Sequence, residues 1–281
     1  MAEIKEISPK RFTKEEEEDK QMPFLDHLEV FRWHLIRAFI AILIFTIVGF
    51  VTMDWIFHEI ILGPSRVDFW TYRMMCKISD LTCIDEVNFT LQSRQLSGQF
   101  SMHILSSFVF GIVVAFPYVF WEMWRFVKPG LYSKERNAAS GTIFSVTFLF
   151  SLGLLFGYYV IAPLSINFLA NYKLDPAILN QFDITSYVST VCMVVLGGGF
   201  IFQLPVVVHF LTSIGIITPD FMRTYRKHCI VGIFVVAAIL TPSPDVLSQI
   251  LVAAPMYLLF ELSIFISKAV YKKRQQSLIK D

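Results

Sequence analysis

The sequence predicts an all-α, polytopic membrane protein with six transmembrane helices and both termini in the cytoplasm. Three observations predict it. Hydrophobic residues make up 55% of the 281 residues and charged residues only 17%, with a mean hydropathy of +0.58; a soluble domain of this size carries more charge. Uncharged runs able to cross about 30 Å of hydrocarbon recur along the chain. Lys and Arg gather in alternate loops, which sets the orientation.

Residues 1–22 are hydrophilic and mostly acidic over 14–20, and they read as a solvated, disordered cytoplasmic tail. No signal peptide with a cleavage site opens the chain. Residues 23–271 form the six-helix transmembrane domain, and residues 272–281 a basic cytoplasmic tail. The apolar cores run over 38–53, 100–121, 137–172, 184–219, 229–241 and 246–260. An even number of spans puts both termini on one side. Short loops on that side carry Arg125, Lys128, Lys134 and Arg136, then Arg223, Arg226 and Lys227, and the C-terminal tail adds Lys268, Lys272, Lys273 and Arg274. On the opposite side the loop near Lys173 has one basic residue, the loop near Asp245 has none, and the segment 58–99 carries Arg66, Arg73, Lys77 and Arg94 balanced by five acids. The segment 58–99 is then an external loop, long enough to carry structure or function of its own.

The third and fourth cores exceed one upright span. Pro163 and Pro205 interrupt them, with Gly197, Gly198 and Gly199 just ahead of Pro205. Proline kinks a span, and neighbours re-satisfy the freed carbonyl, so bent helices are expected there, with the glycines serving helix packing. The fifth and sixth cores are short: about 15 residues reach only about 23 Å. A short hairpin and local bilayer thinning follow.

Catalytic signatures are missing. The chain has no His-Glu-x-x-His zinc site, no Gly-x-Ser-x-Gly elbow and no phosphate-cradling glycine loop. The expectation is a protein that is not an enzyme, with no metal and no cofactor. A net charge of +1 gives no footprint for nucleic acid, and no such partner is expected. Cys192 and Cys229 lie in apolar runs and read as packed thiols. Cys76 and Cys83 fall in the external loop, where oxidation is allowed; a disulfide is one reading of the pair and two free thiols the other. His103 and His209 read as satisfied or interfacial histidines.

Polar groups of interest stand at helix ends and inside spans. In the lead-in 22–35, Phe24, Leu28, Phe31 and Leu35 recur at helical spacing, while Asp26, His27 and Glu29 precede the membrane. Glu29 either pairs with Arg32 along the helix or joins Asp26 in an anionic patch for a basic ligand. The loop 124–136 turns at Pro129-Gly130 and places Glu135 near the start of the third helix, where the dipole favours an anion. Gln203 sits inside a span and must find a hydrogen-bond partner. The turn after Leu240 carries Pro244 and Asp245, with Gln249 and Glu261 on the last helix.

In order along the chain stand the lead-in with His27, Leu28 and Arg32, then Trp-Arg-Phe-x-x-Pro-Gly-Leu-Tyr-x-x-Glu-Arg from Trp124, Phe-Gln-x-Pro from Phe202, and Thr-Pro-x-Pro-Asp-x-x-Ser-Gln from Thr241. This array resembles the TatC family of the twin-arginine protein translocase over nearly all of residues 22–271. The resemblance implies a receptor for the twin-arginine signal peptides of folded precursors in the bacterial cytoplasmic (inner) membrane. It also implies work with TatA- and TatB-like single-span partners, as a homo- or hetero-oligomer, driven by the proton-motive force. It assigns Glu135 and Phe126 to the signal-binding loop, matches Pro64 to a proline of the first external loop, and gives Gln203, Gln249, Glu261 and Asp245 the family's polar positions. Two departures stand out. The family's Glu is Val30 here, with acids instead at Glu29 and Asp26, and Gln203 replaces a frequent Glu, so that position cannot titrate. A small secondary transporter with a midplane site near Gln203 is the alternative; it calls for internal repeats, and none is visible.

Overall fold

A computed structural model describes residues 24–78, 89–127, 139–175, 180–241 and 246–278. The tail 1–22, Cys83, Pro129, Gly130, Glu135, Pro244 and Asp245 lie outside the described residues, as do the side chains of Asp26, His27 and Leu28.

Helix α1 (Phe24–Val51) runs for 28 residues, about 42 Å at 1.5 Å per residue. Its far end passes through α2 (Met53–Trp55), a π-helical turn (Ile56–Ile61) and a 3-10 turn (Gly63–Ser65) into α3 (Trp70–Ile78) and strand β1 (Thr90–Gln92). Helix α4 (Gly98–Val127) returns antiparallel along α1. Helix α5 (Ala139–Phe156), a π-helical segment (Gly157–Ile161) and α6 (Ala162–Asn171) form the next long rod. Strand β2 (Gln181–Asp183) leads to α7 (Ile184–Ile201) and α8 (Leu204–Ser213). Then come α9 (Pro219–Thr224), α10 (Arg226–Leu240) and α11 (Val246–Leu278).

Among the described residues, five stretches are long and apolar enough to cross a membrane: Glu29–Val51, Gly98–Val127, Ile143–Asn171, Ile184–Ser213 and Ser248–Lys272. Helix α10, with 15 residues, falls short of that length, as the sequence predicts for the fifth core. The sixth differs from expectation. Helix α11 runs 33 residues, about 50 Å, because Lys, Arg and Gln at its end are good helix formers and the backbone continues past the apolar core. Residues 272–278 of the expected tail are therefore helix.

Near both prolines the regular helix is interrupted, and each interruption has a local cause. Ahead of Pro163, which cannot donate to the helical ladder, the rod loosens into the π-helical segment. Ahead of Pro205, the chain turns at Phe202 and Gln203 before α8 restarts. Side chains such as Phe39, Ile44, Phe144, Phe148, Leu258 and Phe265 are exposed around the outside, the arrangement of a surface that faces lipid rather than water.

Small residues set the tightest crossing, between α5 with its π-helical extension and α7. A Cβ on Gly198 would stand 2.7 Å from the Gly153 carbonyl oxygen, and one on Gly157 would stand 2.7 Å from that of Val194. No side chain fits there. Gly198→Val is expected to force the helices apart and lower the melting temperature in detergent, by about 1–3 kcal/mol of overpacking cost. At Gly232 a Cβ would meet nothing within 4 Å, so Gly232→Ala is expected to be neutral or stabilising by helix propensity. Equal melting temperatures for Gly198→Val and the parent would contradict the close approach.

The far end is a folded layer rather than a loose loop. Strands β1 and β2 pair in parallel, with Thr90 opposite Gln181 and Gln92 opposite Asp183. The Asp183 carboxylate caps α7, accepting from the Thr185 amide at 3.0 Å, and that bond holds its carboxyl below the usual carboxylate range. Tyrosine hydroxyls satisfy the carbonyls that the irregular turns leave open: Tyr158 donates to Ile60 at 2.7 Å and Tyr187 to Ile61 at 2.8 Å. The Tyr72 hydroxyl lies 2.9 Å from the Pro64 carbonyl and 3.0 Å from that of Pro163, and burial pushes its phenol well up. Pro64 is itself buried in the 3-10 turn. Cys76 on α3 is disulfide-bonded, whereas Cys192 and Cys229 are free. Mass counting of alkylated thiols without reductant is expected to find two fewer free thiols than the four cysteines of the chain; four labelled thiols would contradict it.

Candidate functional site

The end of the bundle that holds the start of α1 also holds the end of α4. Two of the sequence motifs meet there. The Phe31 ring on α1 packs on the Phe126 ring on α4, centroids 4.8 Å apart and planes inclined by 50°. This contact fastens the lead-in to the last turn of α4. Glu29, Val30 and Arg32 are exposed on the adjoining surface of α1. Exposed Val30 thus presents a methyl surface, and Glu29 presents a carboxylate one residue earlier, about 100° around the helix.

Directly beneath lies a carboxylate that the sequence motifs do not single out. Glu122 on α4 is buried, its side chain 2% exposed. Its Oε2 lies 2.5 Å from Nδ1 of His34 on α1, and its Oε1 accepts from the Tyr118 hydroxyl at 3.0 Å. Arg37 and Arg125 flank it, at 4.0 and 3.9 Å. Arg125 also lies over the Trp121 ring, 4.8 Å from its centroid. A buried carboxylate needs such partners, and here they tie α1 to α4. The signal in the sequence is an acid directly after an apolar run, with Tyr118 one turn before and Arg125 one turn after.

The remaining predicted residues are dispersed. Gln203 donates from Nε2 to the Val146 carbonyl of α5 at 3.2 Å, while its buried Oε1 has no partner among the described residues. Gln249 donates to the Phe234 carbonyl at 3.0 Å, pinning α11 to α10. Glu261 accepts from Nε of Arg226 at 2.8 Å and also pairs with the Nη2 group, in a two-pronged ion pair between α11 and the start of α10. These side chains act within the bundle as pins between helices. A cavity of about 380 Å³ opens at the far end, between Asp54, Phe57, His58, Phe100 and His103, away from Gln203. His103 donates from Nε2 to the Phe50 carbonyl at 3.0 Å and stacks on the Phe50 ring. No group of three or more His, Cys, Asp or Glu able to hold a metal occurs among the described residues.

Long apolar rods with exposed hydrophobic surfaces, and polar groups placed at helix ends and helix crossings, define a multi-pass helical membrane protein. Residues 26–255 match the family model of the Sec-independent protein translocase protein (TatC). The chain is 37% identical over 264 residues to the TatC of Blattabacterium sp. subsp. Periplaneta americana (strain BPLAN), covering 92% of this chain and 99% of the relative. It is 32% identical over 257 residues to the TatCy of Bacillus subtilis (strain 168), covering 92% and 93%. The crystal structure of the twin arginine translocase receptor TatC in DDM superposes with a TM-score of 0.70 at 30% identity, over 86% of this chain and 99% of that one. The chain belongs to the TatC family of Sec-independent protein translocase proteins.

Proposed function

We propose that this chain is the signal-peptide receptor of a twin-arginine translocase, that it crosses the bacterial cytoplasmic membrane six times, and that both its termini face the cytoplasm. The observation that carries the reading is the Phe31–Phe126 contact. It sets the start of α1, which carries Glu29, against the end of α4, after which the sequence carries Glu135. Two arginines arriving from the cytoplasm need carboxylates, and the guanidinium fork matches a carboxylate in two parallel hydrogen bonds. Glu29 is exposed at this end, and Glu135 follows Phe126 by nine residues. Glu29, with Asp26 three residues before it, replaces the acid absent at Val30.

Helix α10 is the fifth crossing and, at about 23 Å, thins the bilayer around the α10–α11 hairpin. Single-span TatA- and TatB-like partners assemble on the lipid-facing surface, with Gln203 as an intramembrane polar contact. Two experiments test the reading. A photoreactive residue in place of Phe126 is expected to capture a twin-arginine signal peptide and not its twin-lysine version, whereas the same residue at Phe100, at the far end, captures neither. A reporter fused after Asp281 is expected in the cytoplasm and a label at Asp85 outside. Capture at Phe100 rather than Phe126, or a C-terminus labelled from outside, would contradict the receptor end or the topology, respectively.

A further inference from the structure

We infer that the surface where α1 meets α4, beside buried Glu122, holds the phosphate of an anionic phospholipid, bound by Arg37 and Arg125. The two guanidiniums flank one carboxylate, so the cluster carries more positive than negative charge, since arginine stays protonated. The Glu122 oxygens are already engaged, Oε2 by His34 at 2.5 Å and Oε1 by Tyr118 at 3.0 Å. Arg37 and Arg125 stand at 4.0 and 3.9 Å, beyond hydrogen-bonding distance. Neither makes a hydrogen bond among the described residues. Their side chains are 49% and 48% exposed, and their donors are open to an acceptor from outside the protein.

The surroundings select the acceptor. Arg37 shares the exposed face of α1 with Trp33, one turn before it, and with Ile40 and Ile44 after it. Arg125 shares a face of α4 with exposed Tyr118 and Trp121. Trp and Tyr concentrate at headgroup depth, and the isoleucines beyond Arg37 continue the surface into hydrocarbon. A guanidinium in a spanning helix is costly unless it meets an anion, and basic clefts between spanning helices suit anionic headgroups. A phosphodiester at that depth offers several acceptor oxygens to two forks, while its acyl chains lie along Ile40 and Ile44. Glu122 fixes the spacing of the two arginines without exhausting their donors. The inference needs only a membrane-spanning chain, so it stands or falls apart from signal-peptide recognition.

The test is lipid retention by the full-length protein, taken from nanodiscs of equal phosphatidylglycerol and phosphatidylcholine and analysed by native mass spectrometry. The parent is expected to retain phosphatidylglycerol preferentially. Each guanidinium near an anionic headgroup raises affinity about fivefold, so Arg37→Gln with Arg125→Gln is expected to lower it about 25-fold. Lys268→Gln, a basic residue on α11, is expected to keep the parent's preference. Equal retention of the two lipids by the parent, or an unchanged preference in the double variant, would overturn the inference. Excess inorganic phosphate is expected to leave the lipid bound; its displacement would make this a site for free phosphate and overturn the lipid assignment. Should the double variant misfold, a photoactivatable phosphatidylglycerol on the parent decides: labelling of α1 and α4 peptides supports the site, and labelling confined to other helices overturns it.

Discussion

Glu135→Ala is expected to weaken twin-arginine peptide binding roughly ten- to a hundredfold, because a charge-assisted hydrogen bond contributes about 1.5–3 kcal/mol and 1.4 kcal/mol is a factor of ten. Lys134 and Arg136 flank the residue in sequence, and a glutamate carboxylate is the group that an incoming guanidinium pairs with. Protein abundance is expected to hold, since the position falls in a charged stretch of sequence between two apolar cores. Glu135→Asp is expected to be milder and Glu135→Lys worse than Ala through repulsion. Asp26→Ala and Glu29→Ala, measured beside it, identify which acid stands in for the one absent at Val30. Affinity of Glu135→Ala equal to the parent's would remove this residue from the site.

The second large effect is on stability. Glu122→Ala is expected to cost about 3–5 kcal/mol, the range for removing one member of a buried charged pair. It strips His34 and Tyr118 of their acceptor and leaves Arg37 and Arg125 without their nearest negative charge. The result is a lower melting temperature in detergent and reduced abundance in the membrane, through a loosened α1–α4 contact. Glu122→Gln keeps a side-chain oxygen for Tyr118 and nearly the same volume, so it is expected to fall between Ala and the parent. An alanine variant as stable as the parent would mean that the cluster does not hold the two helices.

Most of the fold is legible in the sequence, for a physical reason. A span must be apolar over its whole length, so the uncharged runs mark the rods, and Pro163 and Pro205 mark their interruptions. What escapes depends on contacts between distant residues or on backbone detail. Strands β1 and β2 are three residues each and pair across some ninety residues of sequence, too short to show a period-two pattern. The π-helical turns at Ile56–Ile61 and Gly157–Ile161 leave no mark in composition. The full length of α11 escapes because its last turns are polar, and polarity marks the end of the apolar core, not the end of the helix.

The site shows the same division. Phe31 and Phe126 are both visible as motif residues, but their contact joins segments 95 residues apart, from residue 31 to residue 126. Glu122 escapes because the uncharged run stops at Trp121, and an acid there reads as a boundary. Its partner His34 lies 88 residues away, so only the packing of α4 on α1 reveals that the acid turns inward. Gln203, by contrast, needs a partner on sequence grounds alone, and it has one in the Val146 carbonyl.

Recognition of paired arginines at the near end of the bundle is tested by equilibrium binding of a twin-arginine signal peptide and of its twin-lysine version to the intact protein in nanodiscs. A lysine ammonium keeps the charge but loses the two-pronged geometry of the guanidinium. The twin-arginine peptide is expected to bind at least about tenfold more tightly, corresponding to about 1.4 kcal/mol. Glu135→Ala is expected to lower affinity for the twin-arginine peptide and so to erode the difference. Equal affinities of the parent for the two peptides would contradict recognition of paired arginines at this end.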